Sequence, residues 1–162
     1  MKRILIFFSI FFYFSYNLYA QEFKLEKVVD GLDEPWSLSF IDTENILFTE
    51  KPGKLYSLNL KNKKISEIKH DLDFLEYGQG GLLDVLFRDQ YVYISYSENR
   101  GNGTTSTSVA KGKLNQDNIE FKNIFRAEPP IDSKYHFGSR LVIKDKYIFI
   151  TAGERGQGMI AQ

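Results

Sequence analysis

A chain of 162 residues, 43% hydrophobic and 15% aromatic, can bury the core of one ordinary domain. Basic and acidic side chains number 21 each, so the formal net charge is zero, without the basic excess that a nucleic-acid partner calls for. Cysteine is absent, which excludes disulfides, thiolate metal sites and cysteine nucleophiles.

The first twenty residues read as an export signal. Met1-Lys2-Arg3 is a short basic start. Ile4 to Phe14 is apolar apart from Ser9, and Ser15 to Ala20 turns more polar and ends in Leu18-Tyr19-Ala20. That order is the one a secretory signal has, with cleavage expected after Ala20. The apolar run is about eleven residues, short of the roughly twenty a spanning helix needs. No stable membrane span is therefore expected, and the domain over residues 21–162 is expected in the periplasm or outside the cell.

The remainder reads as strand after strand. Phe23 to Val29 alternates loosely, and Gly31 to Pro35 forms a turn. Trp36 to Phe40 alternates apolar with small polar residues, the period of a half-buried strand. Ile46 to Thr49, Leu55 to Leu60 and Ile65 to Ile68 follow, separated by polar turns, and make one antiparallel meander. The same order then returns: Gly81 to Phe87, Tyr91 to Tyr96, Thr104 to Leu114 and Glu120 to Arg126. A third copy opens with Arg140 to Ile143 and Tyr147 to Thr151. No stretch after residue 20 sustains a helical period.

Aligning the first turns exposes the repeat. Phe40-Ile41-Asp42, Phe87-Arg88-Asp89 and Ile143-Lys144-Asp145 each end a first strand and lead into a second. Four strands per unit, at intervals of roughly 40–50 residues plus loop insertions, is the period of a β-propeller blade. The fold class expected is all-β, a propeller of four-stranded antiparallel blades, with a sandwich of irregular hairpins as the alternative. Two blades and half of a third are present. An open set of blades leaves unpaired edges, so the chain is expected to be part of a longer product, or to assemble with its own copies.

In a propeller the first strands line the central channel, and the loops leading into them gather at one mouth. That would bring together Pro35-Trp36, Gly78-Gln79-Gly80 and Tyr135-His136-Phe137. His136 can exchange a proton near neutral pH. Gln79 offers both a donor and an acceptor, and its flanking glycines let a flat ligand approach the backbone. Trp36 offers a stacking face, and Arg140 a fixed positive charge for a carboxylate. Each has a plainer reading: a hydrogen-bonded structural histidine, a turn glutamine, a core tryptophan, a structural salt bridge. His70 reads as a surface residue. Gly153-Glu154-Arg155-Gly156-Gln157-Gly158 lacks the lysine and the helix of a phosphate loop.

From Leu32 onward the motifs resemble the glucose/sorbosone dehydrogenase family, soluble aldose sugar dehydrogenases that depend on pyrroloquinoline quinone (PQQ). The matching text is Pro35-Trp36-Ser37-Leu38-Ser39-Phe40, Thr49-Glu50-Lys51-Pro52-Gly53-Lys54-Leu55, Gly78-Gln79-Gly80-Gly81-Leu82-Leu83-Asp84-Val85, Tyr93-Ile94-Ser95-Tyr96, His136-Phe137-Gly138-Ser139-Arg140-Leu141 and Thr151-Ala152-Gly153-Glu154-Arg155. The resemblance implies six blades with the quinone flat over the channel mouth. It implies that His136 is the general base taking the proton of a sugar C1 hydroxyl, and that Gln79 contacts quinone and substrate. It implies that Glu154, where the family more usually has aspartate, orients the histidine. Tyr135 stands where some members carry an acid. Calcium, and most cations that would meet the quinone carboxylates, are expected to be held by later blades; no metal ligand is expected here. The implied partners are a small sugar and an external electron acceptor. The reading from a different class is a non-catalytic propeller used for binding or as a scaffold.

Overall fold

In a computed structural model, residues 23–115 and 117–160 are described. The export signal expected over residues 1–20 lies outside them. The first sheet is a meander of β1 (Pro35–Phe40), β2 (Asn45–Glu50), β3 (Lys54–Asn59) and β4 (Ile65–His70), each antiparallel to the next. The second holds β5 (Leu82–Arg88), β6 (Tyr91–Asn99), β7 (Thr105–Lys113) and β9 (Lys122–Arg126), again antiparallel. The third is the hairpin of β10 (Gly138–Lys144) and β11 (Tyr147–Ala152). These are two complete blades of a propeller and the inner half of a third.

The turns follow from their residues. Asp42 Oδ1 accepts the backbone N–H groups of Glu44 and Asn45 at 2.8 Å each, closing the turn between β1 and β2. Between β5 and β6, Asp89 and Gln90 both take positive φ, 51° and 69°, as a two-residue hairpin of matching twist requires. Each first strand also carries a register shift near its start: Pro35/Ser37, Leu82/Val85 and Gly138/Leu141. A bulge at the same place in three blades bends every inner strand where the loops converge.

The main core lies between the first two sheets. Leu47, Leu55 and Ile68 of the first meet Leu82, Val85, Val92, Ile94 and Tyr96 of the second. The short strand β8 (Asn118–Ile119) leaves the second blade and pairs parallel with β4, placing Ile119 in this core. The first strands also neighbour one another, β1 against β5 and β5 against β10.

Two expectations need correction. Phe23 to Val29 forms no strand: Val29 and Leu32 pack on Ile46, Phe48 and Leu58 without joining a ladder. Their apolar spacing reflected that docking, not backbone pairing. His70 is not a plain surface residue. Its ring bonds to the Gly53 carbonyl at 3.0 Å, accepts the Leu72 N–H at 3.3 Å, and lies against Phe74 and Phe121. It helps to fasten the first blade to the second.

Candidate active site

Three loops lead into the first strands, and polar contacts join them. Lys51 stands between the first and second: its ammonium pairs with the Glu34 carboxylate and donates to the Gly78 carbonyl at 3.0 Å. The second and third meet directly. The His136 backbone N–H donates to Gln79 Oε1 at 2.8 Å, and the Gln79 N–H donates to the Lys134 carbonyl at 2.9 Å. Among the described residues no hydrogen bond or ring contact joins Trp36 to His136. It is 37% exposed and lines an apolar cavity of about 670 Å³ with Leu38, Phe40 and Arg140.

His136 adopts φ 49°, left-handed for a residue with a bulky side chain. Gly138 at 73° and Ser139 at 80° continue the unusual path. Gly138 does so without strain, but His136 and Ser139 persist there only where their surroundings over-determine them, at a cost of about 1–3 kcal/mol each. The surroundings here are hydrogen bonds. Thr107 Oγ1 donates to the Phe137 carbonyl at 2.6 Å, and Ser95 Oγ to the Ser139 carbonyl at 2.7 Å. Gly153 is obligatory, because a Cβ there would lie 1.9 Å from the His136 carbonyl oxygen. Phe137 is buried beneath the loop, and Gly80 makes room for its ring.

The His136 side chain is 54% exposed and its Nδ1 meets one oxygen of Glu154. The other Glu154 oxygen accepts the Gly156 N–H. The hydrogen bond from His136, aided by Gly156, holds the Glu154 carboxyl below its ordinary pKa. An ionised carboxylate only accepts, so the proton of the neutral ring sits on Nδ1. That leaves the lone pair on Nε2, in a side chain more than half exposed. The arrangement can take a proton from a bound hydroxyl and stabilise the resulting imidazolium.

Arg140 donates from Nη1 to Asp84 Oδ1 at 3.2 Å, the structural salt bridge that was its plainer reading. Its side chain remains 61% exposed, so the guanidinium is only partly committed. Asp84 is the hub: it also accepts the Ser37 hydroxyl and the Leu141 N–H, the latter at 2.7 Å. One buried carboxylate thus ties β1, β5 and β10 together. Among the described residues no group of three His, Asp or Glu side chains could hold a metal ion.

Residues 32–162 match the sequence model of the glucose/sorbosone dehydrogenase family. The chain belongs to that family. Among curated members, the aldose sugar dehydrogenase YliI of Escherichia coli (strain K12) is 34% identical over 149 residues, covering 86% of this chain and 40% of that protein. A solved glucose dehydrogenase superposes with a TM-score of 0.79 at 37% identity, covering 85% of this chain and 46% of the other. The PQQ-bound form of an aldose sugar dehydrogenase from Streptomyces coelicolor superposes at 0.71 with 20% identity, covering 82% and 42%, a likeness of fold alone. The chain therefore spans less than half the length of the family members it matches.

Family motifs and repeat pattern pointed to His136, Gln79 and Glu154, and the structure brings the three together. Two buried ions went unassigned. Asp84 had a signal, an acid inside the apolar run Leu82 to Phe87. Arg155 had only its place at the end of the motif Thr151 to Arg155: an arginine in a glycine-rich segment reads as surface, yet it is 5% exposed. Burial pushes its pKa down to about 10.

Proposed function

We propose that this chain supplies the base-bearing edge of the active site of a PQQ-dependent aldose dehydrogenase. The observation that carries the reading is the His136–Glu154 pair, which leaves the lone pair of a half-exposed imidazole on Nε2, in a loop whose His136 N–H is bonded to Gln79. The residues present fit one side of a quinone site. Gln79 and His136 are exposed together, and Gly78 at φ 61° carries the chain past them without side-chain bulk. PQQ, when bound, supplies a two-electron acceptor for the C1 hydride of the sugar.

The chain's own part is proton transfer and positioning. His136 Nε2 takes the hydroxyl proton of C1, and Glu154 stabilises the imidazolium through Nδ1–H. Gln79, already accepting the His136 N–H, keeps its amide NH2 as a donor to ligand oxygen. The uncommitted edge of Arg140 is available to a ligand carboxylate. Calcium and the remaining quinone contacts belong to segments beyond these residues. The sugar and an external electron acceptor are the partners, and export to the periplasm follows from residues 1–20.

Dye-linked aldose oxidation by the protein with all its blades, supplied with PQQ and calcium, tests this. His136→Ala should lower kcat by about 10²–10⁴-fold, as loss of a general base does, with the fold retained. Full activity in that variant would overturn the assignment and favour a non-catalytic role for the loop. The 162 residues alone are expected to be inactive.

A further inference from the structure

We propose that Arg155 is a positioning residue that locks the His136 loop into its strained, Gln79-bonded conformation; the catalytic consequence rests on the reading of His136 as the base. Arg155 follows Glu154 directly and is itself left-handed, at φ 57°. Its guanidinium reaches every second residue of the loop. Nε donates to the Tyr135 carbonyl at 3.0 Å, and Nη2 to the Ser133 carbonyl at 2.5 Å. Its carbon lies 3.7 Å from the Phe137 ring centre. The same fork grips the second blade: Nη1 donates to the Thr105 carbonyl at 3.1 Å and Nη2 to Thr105 Oγ1 at 2.6 Å. Ser133 Oγ returns a bond to the Arg155 carbonyl at 2.6 Å.

Two features make this more than packing. Among the described residues no acid pairs with Arg155, so a buried cation is held by carbonyl and hydroxyl oxygens alone. Such a group is costly unless its donors are satisfied, and here half of the oxygens that satisfy it are carbonyls of the loop, at Ser133 and Tyr135, the other half belonging to Thr105. The cation and the loop conformation therefore require one another. Second, the bonds flank His136 on both sides, at Tyr135 by hydrogen bond and at Phe137 by ring contact. Movement of either would carry His136 away from Gln79 and Glu154. Lysine cannot stand in, since one ammonium cannot span acceptors on two elements as a planar fork does.

Residue-resolved amide hydrogen exchange on the protein tests the positioning directly. In Arg155→Lys, the His136 and Gln79 amides should exchange at least about tenfold faster, while the Leu55 and Ile94 amides of the core stay as slow as before. Unchanged protection at His136 and Gln79 would overturn the proposal. If Arg155→Lys loosens the core amides as well, Thr105→Val decides: it keeps the strand shape and removes one acceptor. Selective loosening of the same two amides supports the proposal, and none overturns it. In the protein with all its blades, Arg155→Lys should lower kcat and leave KM nearly unchanged. Loosened amides with unchanged kcat would contradict the base assignment and leave the positioning role standing.

Discussion

The joint between the first two blades and the loop that carries His136 are held by opposite means. The joint is apolar: Leu47, Leu55, Leu82, Val92 and Ile94 are fully buried, and none depends on a single partner. The loop is polar. Its shape is fixed by hydroxyls, carbonyls, one glycine and one buried arginine, each with a particular partner. Non-directional burial tolerates small shifts, so it suits a scaffold. Directional bonds specify a conformation that the backbone would not adopt by itself, so they suit a site. Stability and placement should therefore respond to different substitutions.

The largest effect on stability belongs to the joint. Leu47→Ala should destabilise by about 2–5 kcal/mol, as large-to-small changes in a tight core do, read as a lower denaturation midpoint. A loss as large from a His136-loop variant would break the distinction. Gly153→Ala should do the reverse. Its new methyl would collide with the His136 carbonyl, and a displacement of about 1 Å at a base can cost about 10²-fold in kcat. The amides of the Leu55–Ile94 joint should keep their protection in that variant.

A comparison at His136 itself sharpens the point about strain. Both His136→Ala and His136→Gly lose the imidazole, but only glycine is at ease at φ 49°. The glycine variant should be the more stable by about 1 kcal/mol, offset in part by its freer unfolded chain. Equal stability would mean that the strain at His136 is no larger than the entropic cost of the glycine, roughly 0.5–1 kcal/mol.

The smallest effect is in pH. The folded Glu154 carboxyl lies below its unfolded value, through its hydrogen bond to His136. Its stabilisation is then fully present above the unfolded pKa, and is lost as pH falls through the folded one. Over that acid window the unfolded state binds the extra proton, so stability rises with pH. Glu154→Gln should flatten this slope in denaturation series taken on the acid side of neutrality. An unchanged slope would assign it to another acid, Glu98 being one that Arg126 and Ser108 also hold low against its burial.

The blade repeat was legible because it is written locally: alternating strands, and aspartate or glycine turns at matching places. Features that depend on distant partners were not. Strand β8 is two residues long and pairs with another blade, so no local pattern announces it. Residues 23–29 alternate without pairing, because periodicity reports which side is buried and not whether a ladder forms. The site was half legible. His136 and Gln79 stood out as chemistry at the starts of inner strands, and motif likeness added Glu154. Asp84 and Arg155 are buried charges whose partners lie about 20 to 57 residues away in the chain, and charge in a sequence ordinarily reads as surface.

The central claim is that the loop presents His136 with Nε2 bare and Nδ1 protonated toward Glu154. Nitrogen NMR of the labelled imidazole reads this directly, at a pH where the ring is neutral. The proton should be found on Nδ1, with Nε2 giving the shift of an unprotonated nitrogen. A ring protonated on Nε2 instead would contradict the account, because no lone pair would then remain on Nε2 to take a proton.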